Sequence, residues 1–250
     1  MTTSMQDSEA ETLATARSLV DAAQGVIEAA LRHGATVTEG GRLVDDHQVH
    51  VERLAYLTTQ VRAAAELVAY AERRTEAGAA DALIDSQALV YAAEATHALR
   101  SAIEVAPDAF GVADAVGPLD ADEAREAVRA GLDEARIREI GRAVLLSLGV
   151  NNIELEDEVA SLTRDASRDF AKNEVAPRAQ EIHREDLLVP EDLIAKFSAQ
   201  GFFGSSIPEE YGGTGMGDLS MVVITEELSA ASLAGAGSLT TRPEILAKAL

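Results

Sequence analysis

The chain has 250 residues, a formal net charge of −22 and no cysteine. Acidic residues outnumber basic ones 25 to 13 before residue 151 and 18 to 8 after it, so the charge is a field over the whole surface and not a tail. Such a field repels phosphate backbones and anionic lipid, which argues against nucleic-acid and membrane-surface binding, and the lack of thiols excludes disulfides, a cysteine nucleophile and Cys-ligated metal.

Residues 1 to 11 are polar and acidic, without the basic start and apolar run of a signal peptide. No uncharged apolar stretch is long enough to span a bilayer, and a soluble, cytoplasmic protein is expected. Ser8-Glu9-Ala10-Glu11 reads as a capping box opening a helix that His33-Gly34 ends. A second helix is expected from Asp45 or Asp46 to about Gly78, because Leu54, Val61 and Val68 recur every seven residues with Leu57, Ala64 and Ala65 between them. A third runs from about Asp81 to Val105, where Pro107 stops it. Three long alanine-rich helices with short links predict an antiparallel bundle.

Pro107, Gly111, Gly117 and Pro118 mark a break over residues 106–119, after which Asp120 and Glu123 cap one helix reaching about Leu148. The domain boundary is placed near 150. Beyond it, Val159, Leu162, Ala166, Phe170 and Val175 predict the buried stripe of a helix that Pro177 ends or kinks. Pro190 opens a short helix burying Leu193, Ile194 and Phe197, and Gly201 closes it. A helix from Asp218 to Ser232 carries the all-apolar run Met221 to Ile224 and should be central. The last helix starts near Gly237. The whole chain reads as all-α.

The motifs in 151–250 come in a fixed order. Asp169-Phe170-Ala171 and Val175-Ala176-Pro177-Arg178-Ala179 are followed by Ile182 and Val189-Pro190-Glu191-Asp192-Leu193. Then come Gly201-Phe202-Phe203-Gly204, Pro208-Glu209-Glu210-Tyr211-Gly212-Gly213 and Thr225-Glu226-Glu227-Leu228-Ser229. From about Ile153 to Leu250 this series resembles the helical N-terminal domain of the acyl-CoA dehydrogenase family. With the helical extension before it and Gly237-Ser238-Leu239-Thr240-Thr241-Arg242 after it, the chain is similar to the branch of that family acting on methylsuccinyl-CoA.

The resemblance implies part of an oxidoreductase that removes an α-proton from an acyl-CoA and passes a β-hydride to FAD. It implies an acyl-CoA substrate, an electron-transferring flavoprotein as partner and a homo-oligomer in the full-length form. It also implies that FAD is held mainly by a β-domain and a helical bundle not contained here. The 151–250 domain is therefore expected to be incomplete at its C-terminal end, to hold no catalytic residue, and to be inactive alone. A non-enzymatic helical scaffold derived from the family is the alternative.

Candidate chemistry is sparse. Gly212, Gly213, Gly215 and Gly217 follow no strand and precede no Lys-Ser/Thr, which excludes a nucleotide-binding loop. His47 and His50 have the spacing of two metal ligands, but no third follows at a diagnostic distance, and no metal is expected. Glu209-Glu210 and Glu226-Glu227 read as solvated or salt-bridged acids. By the resemblance, Ser238, Thr241 and Arg242 lie on the wall of the acyl pocket, where they would bind substrate, with Ser238 and Arg242 one turn apart. A capping serine and a surface ion pair are the other way to read them.

Overall fold

The helical periodicity is what the computed structural model shows: every element among the described residues is helical, with no strand. It describes residues 2–150 and 153–249, with side chains over 11–150 and 153–247. The chain divides into two compact units, 1–150 and 151–250.

In the first unit α1 (Thr2–Val37), α2 (Gln48–Glu76) and α3 (Ala82–Val105) pack pairwise against one another. Leu54, Leu57, Val61, Ala64, Ala65 and Val68 are all buried on α2, against Ala16, Val20, Ala23 and Val26 of α1 and Ala88, Ala92 and Leu99 of α3. Alanine at so many contacts lets the axes approach closely, and the length of the contact offsets the small area each alanine buries. Asp81 caps α3, accepting from the Leu83 and Ile84 amides at 2.9 and 3.4 Å.

Helix ends depart from the sequence reading in three places. The backbone is already helical from Thr2, so α1 does not open at the Ser8–Glu11 box; the side chains of residues 8–10 lie outside the described residues. The same helix passes through Gly34, because that glycine is a point of contact: a Cβ there would meet Leu54 Cδ2 at 2.9 Å. The single helix expected after Asp120 is two, α6 (Asp122–Gly131) and α7 (Glu134–Leu146). Gly131 presses on α3, where a Cβ would lie 2.5 Å from that of Ala93, and the cap is Asp133, accepting from Ala135 and Arg136 amides at 2.9 and 3.3 Å. Between α3 and α6, the short turns α4 (Pro107–Phe110) and α5 (Gly117–Asp120) are no loose link. They carry Phe110, Val112 and Leu119 into the same core.

The second unit comprises α8 (Glu158–Phe170), α9 (Ala176–Arg184), α10 (Glu191–Ala199), α11 (Gly217–Ala231) and α12 (Ser238–Ala249). Helix α11 is central, packing on α8 and α12. Its Ile224 and Leu228 are buried beside Leu193, Phe197, Phe202 and Phe170. The rings of Phe170, Phe197 and Phe202 meet edge to face at centroid distances of 5.2–6.0 Å, a geometry that favours the positive ring edge over the negative face.

Two expectations fail here for physical reasons. On α8 the apolar Val159 and Leu162 point outward, 55% and 64% exposed, while Ala160, Thr163 and Ser167 face α11. Small side chains allow the two helices to lie close. Pro177 does not end the helical path: the turn Ala171–Val175 widens to π geometry, and α9 continues from it. No helix among the described residues is long and apolar enough to cross a membrane.

Candidate functional site

After Ala231 the chain leaves helix at Ser232, whose hydroxyl accepts from the Gly235 amide at 2.9 Å. It re-enters through a π turn, Leu233–Gly237, that runs directly into α12. Gly237 is required there, since a Cβ would fall 1.9 Å from Ser229 Oγ. Pro243 sits in the interior of α12, not in the first turn, so it does not expose free backbone amides beside Arg242.

The geometry separates the three predicted residues. Ser238 and Arg242, one turn apart, line an open groove of about 570 Å³ together with Gln180 and His183 of α9 and the Ser232–Ala234 turn. Arg242 is exposed, and among the described residues no carboxylate lies within ion-pair distance of it. The Ser238 hydroxyl donates its proton to the Ala234 carbonyl at 3.3 Å. Thr241 is not part of the lining; its hydroxyl donates to the Gly237 carbonyl at 3.3 Å.

Two acids outside the groove lining are buried, and the salt-bridged reading holds for the first of them, Glu227, while Glu244 was given no role by the sequence. Glu227 is 8% exposed and accepts two guanidinium hydrogen bonds from Arg168, Nε to Oε2 at 3.0 Å and Nη2 to Oε1 at 2.7 Å. Hydrogen bonding to Glu227 raises the Arg168 pKa above its ordinary value. Glu226-Glu227 thus splits into an exposed acid and a buried one. Glu244, 1% exposed, accepts from Ser205 Oγ at 3.1 Å and the Ser206 amide at 3.3 Å, with Ser206 Oγ donating to its other oxygen. Nothing in the local sequence around Pro243 signals a buried acid.

The glycine-rich loop does not fit a flavin. The amides of Gly212, Gly213, Thr214, Gly215 and Met216 all donate to carbonyls within the loop or its flanks. None is left to cradle a pyrophosphate, and Gly213 serves packing, since a Cβ would lie 2.0 Å from the Ile207 carbonyl oxygen. Around His47 and His50, as elsewhere among the described residues, no three His, Cys, Asp or Glu are grouped to hold an ion. His50 instead packs edge-on to Phe110 at 5.5 Å and His33 at 6.5 Å, with both ring nitrogens buried and unpartnered. Burial, and then the nearby His33, His47 and Arg53, hold its pKa below the usual imidazole value.

Residues 157–250, nearly all of the second unit, match the family described as acyl-CoA dehydrogenase, N-terminal domain. The chain is 46% identical over 92 residues to (2S)-methylsuccinyl-CoA dehydrogenase of Cereibacter sphaeroides, covering 37% of this chain and 17% of that protein. It is 40% identical over 75 residues to 3-(aryl)acrylate reductase of Clostridium sporogenes, 30% of this chain and 20% of that protein. To glutaryl-CoA dehydrogenase of Desulfococcus multivorans it is 35% identical over 82 residues, 32% and 21% of the two chains. The matched segments thus span about a fifth of these relatives' lengths.

Proposed function

We propose that this chain is the N-terminal part of an FAD-dependent acyl-CoA dehydrogenase. Its substrate is a short, branched, dicarboxylic acyl-CoA of the methylsuccinyl type, whose α,β bond it oxidises. The observation that carries the substrate class is Arg242, a guanidinium facing a groove with no carboxylate partner among the described residues. It is also the only base between Lys196 and Lys248. Two relatives named for thioesters of dicarboxylic acids, methylsuccinyl-CoA and glutaryl-CoA, support the same class. In a chain of net charge −22, a second carboxylate on the substrate must be met by a local cation, since leaving it unpaired in a covered pocket costs several kcal/mol. A guanidinium meets it with two parallel hydrogen bonds.

On this reading the groove binds the acyl end, and the described residues include neither a flavin cradle nor a base for the α-proton. Flavin and base belong to the remainder of the enzyme, and electrons leave to an electron-transferring flavoprotein. The test is expression of this chain alone and together with the domains that complete its relatives' length. The chain alone is expected to be colourless and inactive. The longer protein should be yellow and reduce an electron acceptor with methylsuccinyl-CoA. A longer protein without flavin or turnover would favour a helical scaffold without the family's chemistry.

A further inference from the structure

The buried stripe of α12 is polar. Thr240 and Glu244, one turn apart, are each 1% exposed, while Ile245 and Leu246 on the same helix are 69% and 63% exposed. Apart from Leu239, partly buried against the core of this unit, apolar burial does little to fix the rotation of this helix about its axis, and hydrogen bonds supply the rest. Pro243 loosens the helix further, since it has no N–H for the Leu239 carbonyl. Against this stands the Glu244 carboxylate, which takes two hydroxyl donors and one amide from Ser205 and Ser206. Those serines sit in a stiff frame: the Met216 amide donates to the Ser205 carbonyl at 2.8 Å and the Thr214 amide to Gly204 at 3.0 Å. No cation among the described residues lies within ion-pair distance of Glu244, so the three donors are what balance its burial.

Arg242 and Glu244 are two residues apart, which on a helix places them on nearly opposite faces. We propose that Glu244 is the positioning residue of the groove: by gripping Ser205 and Ser206 it sets the rotation of α12 that turns Ser238 and Arg242 toward Gln180 and His183. The proposal rests on the reading of this groove as a carboxylate site, and it adds a residue that touches no substrate. Glu244→Gln keeps the arrangement, because an amide oxygen accepts from Ser205 and the Ser206 amide while its NH₂ donates to the Ser206 hydroxyl. Glu244→Leu removes every one of these bonds at similar volume.

The experiment is NMR on the 250-residue chain, with methylsuccinate as the probe. The contact between the Thr225 and Thr240 side chains, whose hydroxyl oxygens are 3.5 Å apart, reports the rotation of α12 without any ligand. Glu244→Gln should keep the Thr225–Thr240 cross-peak and the wild-type affinity. Glu244→Leu should lose the cross-peak and bind methylsuccinate about tenfold more weakly, with helicity and the signals of α8 and α10 retained. A leucine variant with the cross-peak and affinity unchanged overturns the proposal, as does a glutamine variant that behaves like leucine. If Glu244→Leu does not fold, the double variant Ser205→Ala with Ser206→Ala, which removes both hydroxyl donors, decides by the same cross-peak, whose persistence at full strength also overturns it. A wild-type chain that does not bind methylsuccinate sinks the carboxylate site instead, and the cross-peak still judges Glu244.

Discussion

Removing Arg168 exposes how much the second unit depends on a single ion pair. Glu227 is 8% exposed and takes both its charged hydrogen bonds from this arginine, so Arg168→Met leaves a buried carboxyl group between α8 and α11 without its donors. Breaking a fully buried pair costs about 3–5 kcal/mol. The Arg168 side chain is 41% exposed, so water reaches the site and part of that cost is relieved. About 1–3 kcal/mol remains. Hydrogen exchange read by mass spectrometry should show it as about a fivefold to hundredfold loss of protection in α8 and α11. Amides of α2 and α3 serve as the internal reference. The double substitution Arg168→Met with Glu227→Met buries no charge and should recover most of the loss. Protection unchanged in the single variant, or a double variant no better than the single, refutes the reasoning.

Gly213→Ala should unfold the glycine-rich loop locally at a cost of about 2 kcal/mol or more, because the new methyl would lie 2.0 Å from the Ile207 carbonyl oxygen; a thermal midpoint matching wild type would contradict this. The first unit should lose stability on acidification. The His50 pKa is held below its unfolded value of 6.5, so the unfolded chain binds the proton more readily: stability is full above about pH 6.5 and falls as pH drops through the lower folded value. Replacing His50 by Phe should flatten thermal midpoints across that window, and an unaltered pH profile would show that another group is responsible. Glu72, whose carboxyl the Arg17 hydrogen bonds hold below 4.5, adds a second loss only at lower pH.

The long-range order of this protein is legible wherever apolar residues repeat at helical spacing and their burial follows. The α2 stripe from Leu54 to Val68 is the clearest case. The α8 stripe shows the limit of that logic. Val159 and Leu162 have the right period, but periodicity defines a face without saying what covers it, and the close approach of α11 selects Ala160, Thr163 and Ser167 instead. Gly34 misleads for a related reason. A glycine chosen for helix contact and one chosen as a helix stop look alike in sequence, and only the neighbour distinguishes them. At the candidate site, Ser238 and Arg242 were legible by family order and one-turn spacing, whereas Thr241 turns back on its own helix. Glu244 was invisible, because its donors Ser205 and Ser206 lie 38 or more residues away.

The central claim, that Arg242 anchors the free carboxylate of a dicarboxylic acyl-CoA, is tested most directly by substrate selectivity. In the enzyme completed by the domains its relatives contain, kcat/KM is measured for methylsuccinyl-CoA and for an uncharged acyl-CoA of similar length, in wild type and Arg242→Met. The account predicts a loss of about 2–5 kcal/mol in transition-state binding, on the order of thirtyfold to several-thousandfold, for methylsuccinyl-CoA and a much smaller loss for the uncharged substrate. Equal losses for both substrates, or none for either, would contradict it and leave Arg242 a surface residue.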